Sequence, residues 1–416
     1  MEIKRDIYLQ QLIAKKNNGL IKIITGIRRC GKSYLLFKLF KKHLINEGIK
    51  ESHIIQLALD DYANKKYRDS DELYNFVKKQ IQDNSTYYIL LDEVQYVADF
   101  EDVLNGFMHI QNADVYVTGS NSKFLSTDII TEFRGRGDEI RVYPLSFNEF
   151  KECTNDDDNI ALKEYLYYGG LPLVKTTVSI DDKVKYLSTV FKKVYMSDLI
   201  ERYGIKNESE FEDLVRILAS SIGSLTNPNK LSNTFKSVKR TDVSANTLKK
   251  YIGYLEDAFV IDGAIRYDIK GKKYISTPHK YYFTDLGLRN SILDFRQQEE
   301  THLMENLIYN ELRIRGYNVD VGVVEINGKD EYGKSYRKQL EIDFIASKGY
   351  EKYYIQSAYA IPDEKKMNQE KASLIKVDDS FEKIIISKDL LMPYKSDDGI
   401  HFIGLMDFLK AKSTIY

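Results

Sequence analysis

Gly26-Ile27-Arg28-Arg29-Cys30-Gly31-Lys32-Ser33 follows the pattern G-x-x-x-x-G-K-[ST] and lies between Ile21-Lys22-Ile23-Ile24-Thr25 and Tyr34-Leu35-Leu36-Phe37-Lys38-Leu39-Phe40. The first flank reads as a buried strand and the second as a helix, which is the context such a loop needs. Glycines let the backbone curl until several N–H groups converge on one anion without a clashing Cβ. A helix beginning near Lys32 turns its unsatisfied N–H groups and the positive end of its dipole toward the same point. The stretch therefore predicts a nucleoside triphosphate held by Gly26, Ile27, Arg28, Arg29, Cys30, Gly31, Lys32, Ser33 and Tyr34. Lys32 is expected at the β and γ phosphates, and the Ser33 hydroxyl on Mg²⁺.

Some sixty residues on, Tyr87-Tyr88-Ile89-Leu90-Leu91 is too apolar for a half-exposed strand, and it ends at Asp92-Glu93. Acids at the carboxyl end of a central parallel strand lie beside the ligand crevice. Asp92 is then a metal ligand through water, and Glu93 the group that orients and deprotonates an attacking water. A third strand, Asp114-Val115-Tyr116-Val117-Thr118, runs into Gly119-Ser120-Asn121. Ser120 or Asn121 would position the water and sense the γ phosphate, or else cap a helix starting at Ser122.

Working outward, residues 1–150 alternate strand and helix patterns as a parallel α/β sheet demands, with strands near 21–25, 53–58, 87–91, 114–118 and 139–143. Residues 151–225 turn helical, broken at Gly169-Gly170-Leu171-Pro172, and read as a lid and linker. Residues 226–298 read as a winged helix: Ser244 caps a helix with Leu248, Ile252 and Leu255 on one face, and Phe259-Val260-Ile261-Asp262 and Lys272–Ser276 form a strand pair. Between Asn229 and Lys280 eleven Lys or Arg face five Asp or Glu, a local excess of six in a chain of net charge -1. That segment is the candidate DNA surface, with solvated lysines as the plainer alternative.

The motifs resemble those of a prokaryotic branch of the AAA+ superfamily of ATPases: Gly26–Ser33, Leu90-Leu91-Asp92-Glu93-Val94-Gln95, Val117–Asn121, Phe133-Arg134-Gly135-Arg136 and Tyr143-Pro144-Leu145-Ser146-Phe147-Asn148-Glu149-Phe150. The resemblance continues through Tyr168–Pro172, Tyr282–Leu288 and Glu305–Leu312, and so covers nearly the whole chain. It implies a parallel-sheet ATPase core of the AAA+ type, ATP and Mg²⁺ as ligands, and a homo-oligomer as a candidate assembly. It also implies that Arg136, or next Arg134, contacts the γ phosphate. The catalytic set on this reading is Lys32, Glu93, Asn121, Arg136 and Arg134, with Ser33 and Asp92 on the metal.

Residues 299–416 resemble the PD-(D/E)xK nuclease core, in which an acid followed by E-x-K holds Mg²⁺ and activates water. Glu305 lies on a helix, and Glu341-Ile342-Asp343 and Tyr353–Tyr359 on strands. The chain departs from the pattern at two places: Gln356 stands where the second acid belongs and Ala358 where the lysine belongs. A degenerate domain used for binding is the expectation.

Composition sets the limits. The 416 residues suffice for several domains, and the near-zero net charge gives no global field toward nucleic acid. Two cysteines, one inside the loop, make no disulfide framework, and no Cys/His metal spacing occurs. No stretch approaches eighteen apolar residues, so no membrane partner is expected and the location is read as cytoplasmic. Two functions remain: an ATPase whose turnover moves C-terminal domains, or a nucleotide-gated switch binding DNA or a protein with little turnover.

Overall fold

Every residue of β1 (Ile21–Thr25) and of β3 (Tyr87–Asp92) is buried, as apolar runs must be in a parallel sheet covered on both faces. The computed structural model describes residues 3–119, 135–329, 335–411 and 415, and the chain divides into two units. The first holds residues 1–144 together with 171–173 and 257–259. Its sheet adds β2 (Ile54–Ala58), β4 (Ala113–Thr118) and β5 (Gly137–Arg141), all parallel, in the order β2-β3-β4-β1-β5.

Alternation along the strands builds the core. Ile21, Ile23, Ile89, Leu91, Val115 and Val117 pack with Leu73 and Val77 of the helix Ser70–Gln80 and with Phe100, Leu104 and Phe107 of the helix Phe100–Met108. On β1 the intervening Lys22 is buried, and its ammonium pairs with Asp114 and lies 4.7 Å from the Tyr116 ring centroid. Burial lowers the Lys22 pKa against the pull of Asp114, so this lysine belongs to the scaffold. β5 begins and ends two residues earlier than the apolar pattern suggests. Val142 still donates to the Thr25 carbonyl at 2.8 Å, but the Tyr143 amide donates to the Tyr8 hydroxyl at 3.1 Å and the ladder stops.

The second unit, residues 145–170, 174–256 and 260–416, includes the helices Asp158–Tyr168, Ile180–Thr189 and Glu208–Ser220. Asn290, on the helix Leu286–Ile292, donates to the carbonyls of Leu166 and Tyr167, and Asp285 accepts from Gly170 at 2.8 Å. A Cβ at Gly287 would lie 1.9 Å from the Tyr168 carbonyl oxygen. The two glycine motifs at 168–170 and 285–287 thus meet backbone to backbone.

One nine-stranded sheet runs through the rest: β6 (Leu225–Thr226), β7 (Ile261–Asp268), β8 (Lys273–Phe283), β9 (Asn318–Lys329), β10 (Ser335–Lys348), β11 (Glu351–Ala358), β12 (Glu382–Ser387), β13 (Tyr394–Lys395) and β14 (His401–Gly404). Its order is β13-β14-β12-β11-β10-β9-β7-β8-β6. β8 extends well past Ser276, and Pro278 is accommodated where the β7–β8 register shifts between Ala264 and Arg266, the kind of place a proline tolerates. The hairpin β7–β8 joins the C-terminal strands through the parallel pairing of β7 with β9. Helix Ala245–Asp257 buries Leu248, Ile252 and Leu255, and the Ser244 hydroxyl accepts the Thr247 amide at 3.1 Å. Among the described residues no helix is long and apolar enough to cross a membrane.

Candidate functional site

The loop leaves β1 at Gly26, with φ of 133°, and passes Arg29 at 64° and Gly31 at 100° before helix formation begins at Lys32. At Gly26 any side chain is excluded twice: by the dihedral, and by the Val142 carbonyl oxygen 2.0 Å from where a Cβ would sit. Ile27 and Cys30 are fully buried, and the Cys30 thiol donates to the Val142 carbonyl at 3.4 Å. Their side chains anchor the loop from below, which leaves only their backbone for a ligand. Arg28 is half-buried and Arg29 exposed, as is Ser33.

Lys32 is 5% exposed, and its ammonium donates to the carbonyls of Gly26 at 2.9 Å and Ile27 at 3.2 Å. The lysine is thereby held inside the curl of the loop it serves. The helix beyond it runs over 32–46 and contains a π-helical stretch, Leu35–Phe40. Tyr34, in its first turn, is half-buried.

Asp92 and Glu93 close β3 at the carboxyl edge. Leu91 pairs with Val117 across the parallel ladder, which brings Thr118 beside Asp92. The Thr118 hydroxyl donates to Asp92 and accepts the Glu93 amide at 3.0 Å. Burial raises the Asp92 pKa, opposed by hydrogen bonds from Thr118 and Ser33. Ser33 and Asp92 are therefore within hydrogen-bond reach of each other, joining the glycine loop to the end of β3. Glu93 adopts a left-handed backbone, φ 52° and ψ 49°, and Gln95 donates to its carboxylate. A non-glycine residue in that region is strained and held there by its surroundings. Thr118 is the residue that the sequence reading overlooked; the aligned ends of the runs 87–92 and 114–118 were the signal for it.

Arg136 stands elsewhere. It is exposed, and its carbonyl accepts the Ile21 amide at 2.9 Å, at the amino end of β1. Asn121 and Arg134, with Ser120, lie outside the described residues.

Residues 18–151 match the family described as "AAA domain". An uncharacterized protein of Haemophilus influenzae is 34% identical over 98% of this chain and 98% of its own length. The chain belongs to the AAA+ P-loop ATPase family. A second relative of this AAA+ protein, the uncharacterized MJ1544 of Methanocaldococcus jannaschii, is 28% identical over 99% of the chain and 91% of its own. Residues 159–299 of the AAA+ chain match a domain of unknown function, DUF8612. Among solved structures, Cdc6p from Pyrobaculum aerophilum aligns with 74% of the AAA+ chain and 97% of its own, at 12% identity and a TM-score of 0.29.

Proposed function

We propose that this protein hydrolyses ATP at the Gly26–Ser33 loop and couples the nucleotide state to its C-terminal region. The observation that carries the reading is the Thr118 clamp, which fixes Asp92 and the Glu93 backbone together while Ser33 reaches Asp92 from the loop. Ser33 and Asp92 fit a magnesium ion: a hydroxyl and a desolvated carboxylate adjacent to each other are hard oxygen donors. Mg²⁺, when bound, neutralises charge on the β and γ oxygens. Lys32 and the loop amides bind the phosphates, Glu93 orients a water and takes its proton, and Asn121 with an arginine supplied by a neighbouring copy, Arg136 before Arg134, completes the set. Adenine, rather than another base, follows from the family. A cytoplasmic location accords with both cysteines being free.

Steady-state phosphate release by wild type, Lys32→Ala and Glu93→Gln, with and without duplex DNA, tests the reading. Wild type should exceed both variants by roughly 10²-fold or more; equal rates for wild type and Lys32→Ala would rule hydrolysis out.

A second reading, a nucleotide-gated switch for DNA or a protein with little turnover, is favoured by one observation. Lys249 and Lys250 on the helix Ala245–Asp257, and Lys270, Lys272 and Lys273 at the β7–β8 turn, are all exposed. Helices Glu208–Ser220, 228–239 and Ala245–Asp257, with β6, β7 and β8, support a winged-helix assignment. Duplex binding that changes with nucleotide and weakens steeply with salt supports this switch.

A further inference from the structure

Lys280 was one of the eleven cations that made 229–280 look like a basic surface, yet it is 3% exposed. Its ammonium lies 2.8 Å from Glu341 Oε1, 2.9 Å from Glu305 Oε1 and 3.5 Å from Asp343 Oδ1. A lysine has three N–H donors and no acceptor, and here three carboxylates surround it. The four groups come from three elements: Lys280 from β8, Glu305 from the helix Glu300–Ile314, and Glu341 and Asp343 from β10. The remaining bonds close the cluster. The Tyr282 hydroxyl donates to Glu305 at 2.7 Å, and the Ser357 amide to Asp343 Oδ2 at 2.9 Å.

These carboxylates occupy the positions at which the nuclease-like pattern would place a magnesium ion, and the residues do not fit one. A divalent ion needs oxygens at about 2.0–2.6 Å around a common centre, and that centre is taken by Nζ. Among the described residues no group of three His, Cys, Asp or Glu side chains is arranged to hold a metal. Gln356 offers an amide oxygen, buried and without a hydrogen-bond donor, where a second acid would stand. Being neutral, it leaves fewer negative charges for one ammonium to balance. Burial works against the Lys280 charge, but Asp343, Glu305 and Glu341 override it and hold the ammonium above its ordinary range.

We propose that Lys280 is a built-in cation that takes the place of a metal ion in this cluster, closing it to divalent ions and pinning β8 to the Glu300–Ile314 helix and β10. The site is structural, and no phosphodiester chemistry is routed through it. This holds whether or not the ATPase reading does.

The test uses the full chain without nucleotide. Mn²⁺ uptake is followed by electron paramagnetic resonance, and thermal unfolding is measured in chelator and in Mn²⁺. Wild type and Asp343→Asn should take up the same amount of Mn²⁺, since what binds at Ser33 and Asp92 is common to both. Lys280→Met should unfold roughly 10 °C below wild type in chelator, as for a buried charge cluster losing a partner. It should also gain one Mn²⁺ per chain, with part of the lost stability restored. Loss of an Mn²⁺ equivalent in Asp343→Asn relative to wild type would overturn the proposal, and so would a folded Lys280→Met that gains none. If Lys280→Met fails to fold, the comparison of wild type with Asp343→Asn decides alone.

Discussion

The Ile21 amide donates to the Arg136 carbonyl at 2.9 Å, so Arg136 is tied to the end of β1 opposite the one from which the glycine loop departs. The five residues of β1 at about 3.3 Å each span roughly 16 Å. From that edge Arg136 reaches its own loop only by leaving the sheet, and the expectation is that it acts on the phosphates of a neighbouring copy. Arg136→Ala should lose about 10³-fold or more in phosphate release and Glu93→Gln about 10²-fold or more, and mixing the two should restore activity. Absence of recovery at every mixing ratio would show that Arg136 does not act between chains.

Thr118 is expected to matter to turnover more than to binding. Thr118→Val removes both the donor to Asp92 and the acceptor for the Glu93 amide. A fall in kcat of about 10–100-fold is expected, while Thr118→Ser retains most activity. Equal kcat in wild type and Thr118→Val would remove the clamp from the mechanism.

Gly26 and Gly31 both have positive φ, but only Gly26 faces an obstructing carbonyl, 2.0 Å from a virtual Cβ. Left-handed backbone alone costs an ordinary residue about 1–2 kcal/mol. Urea unfolding should therefore place Gly26→Ala well below Gly31→Ala in stability, the overlap with Val142 adding to the dihedral cost. The reverse order would contradict the loop geometry.

Burial pushes the Asp343 carboxyl up to about 7, against the pull of Lys280. An acid whose folded pKa is raised contributes stability below its unfolded value, near 4, and loses it as pH climbs through the folded value. The melting temperature of wild type relative to Asp343→Asn should thus fall between pH about 4 and 7 and level off above. A difference that stays flat across that window would mean that Asp343 is ionised throughout.

The parts of the candidate site that are contiguous in the chain are legible in the sequence itself. Gly26–Ser33 carries its own loop geometry, and Asp92-Glu93 announces itself by ending an apolar run. Thr118 was not legible as a partner, because its role depends on the Leu91–Val117 register between strands. Lys280 was misread as surface charge because burial is decided by Glu305, Glu341 and Asp343, which follow it by 25 to 63 residues. Gly169 and Gly287 looked like a signature without a chemistry, and their use is steric: each lets the other's backbone approach. The end of β5 was hidden for a similar reason, since the Tyr8 hydroxyl takes the Tyr143 amide from far upstream in the chain.

The pairing of β7 with β9 has a consequence for how the chain is made. The first sheet can be completed from residues up to 141, early in synthesis. In the second, the strand ending at Asp268 keeps one edge open until Val321–Val323 have emerged, and an open edge invites pairing with other chains. A nascent or truncated product stopping between those points is the species most prone to aggregate. The order of emergence from the ribosome therefore favours early folding of the nucleotide-loop half and late closure of the other.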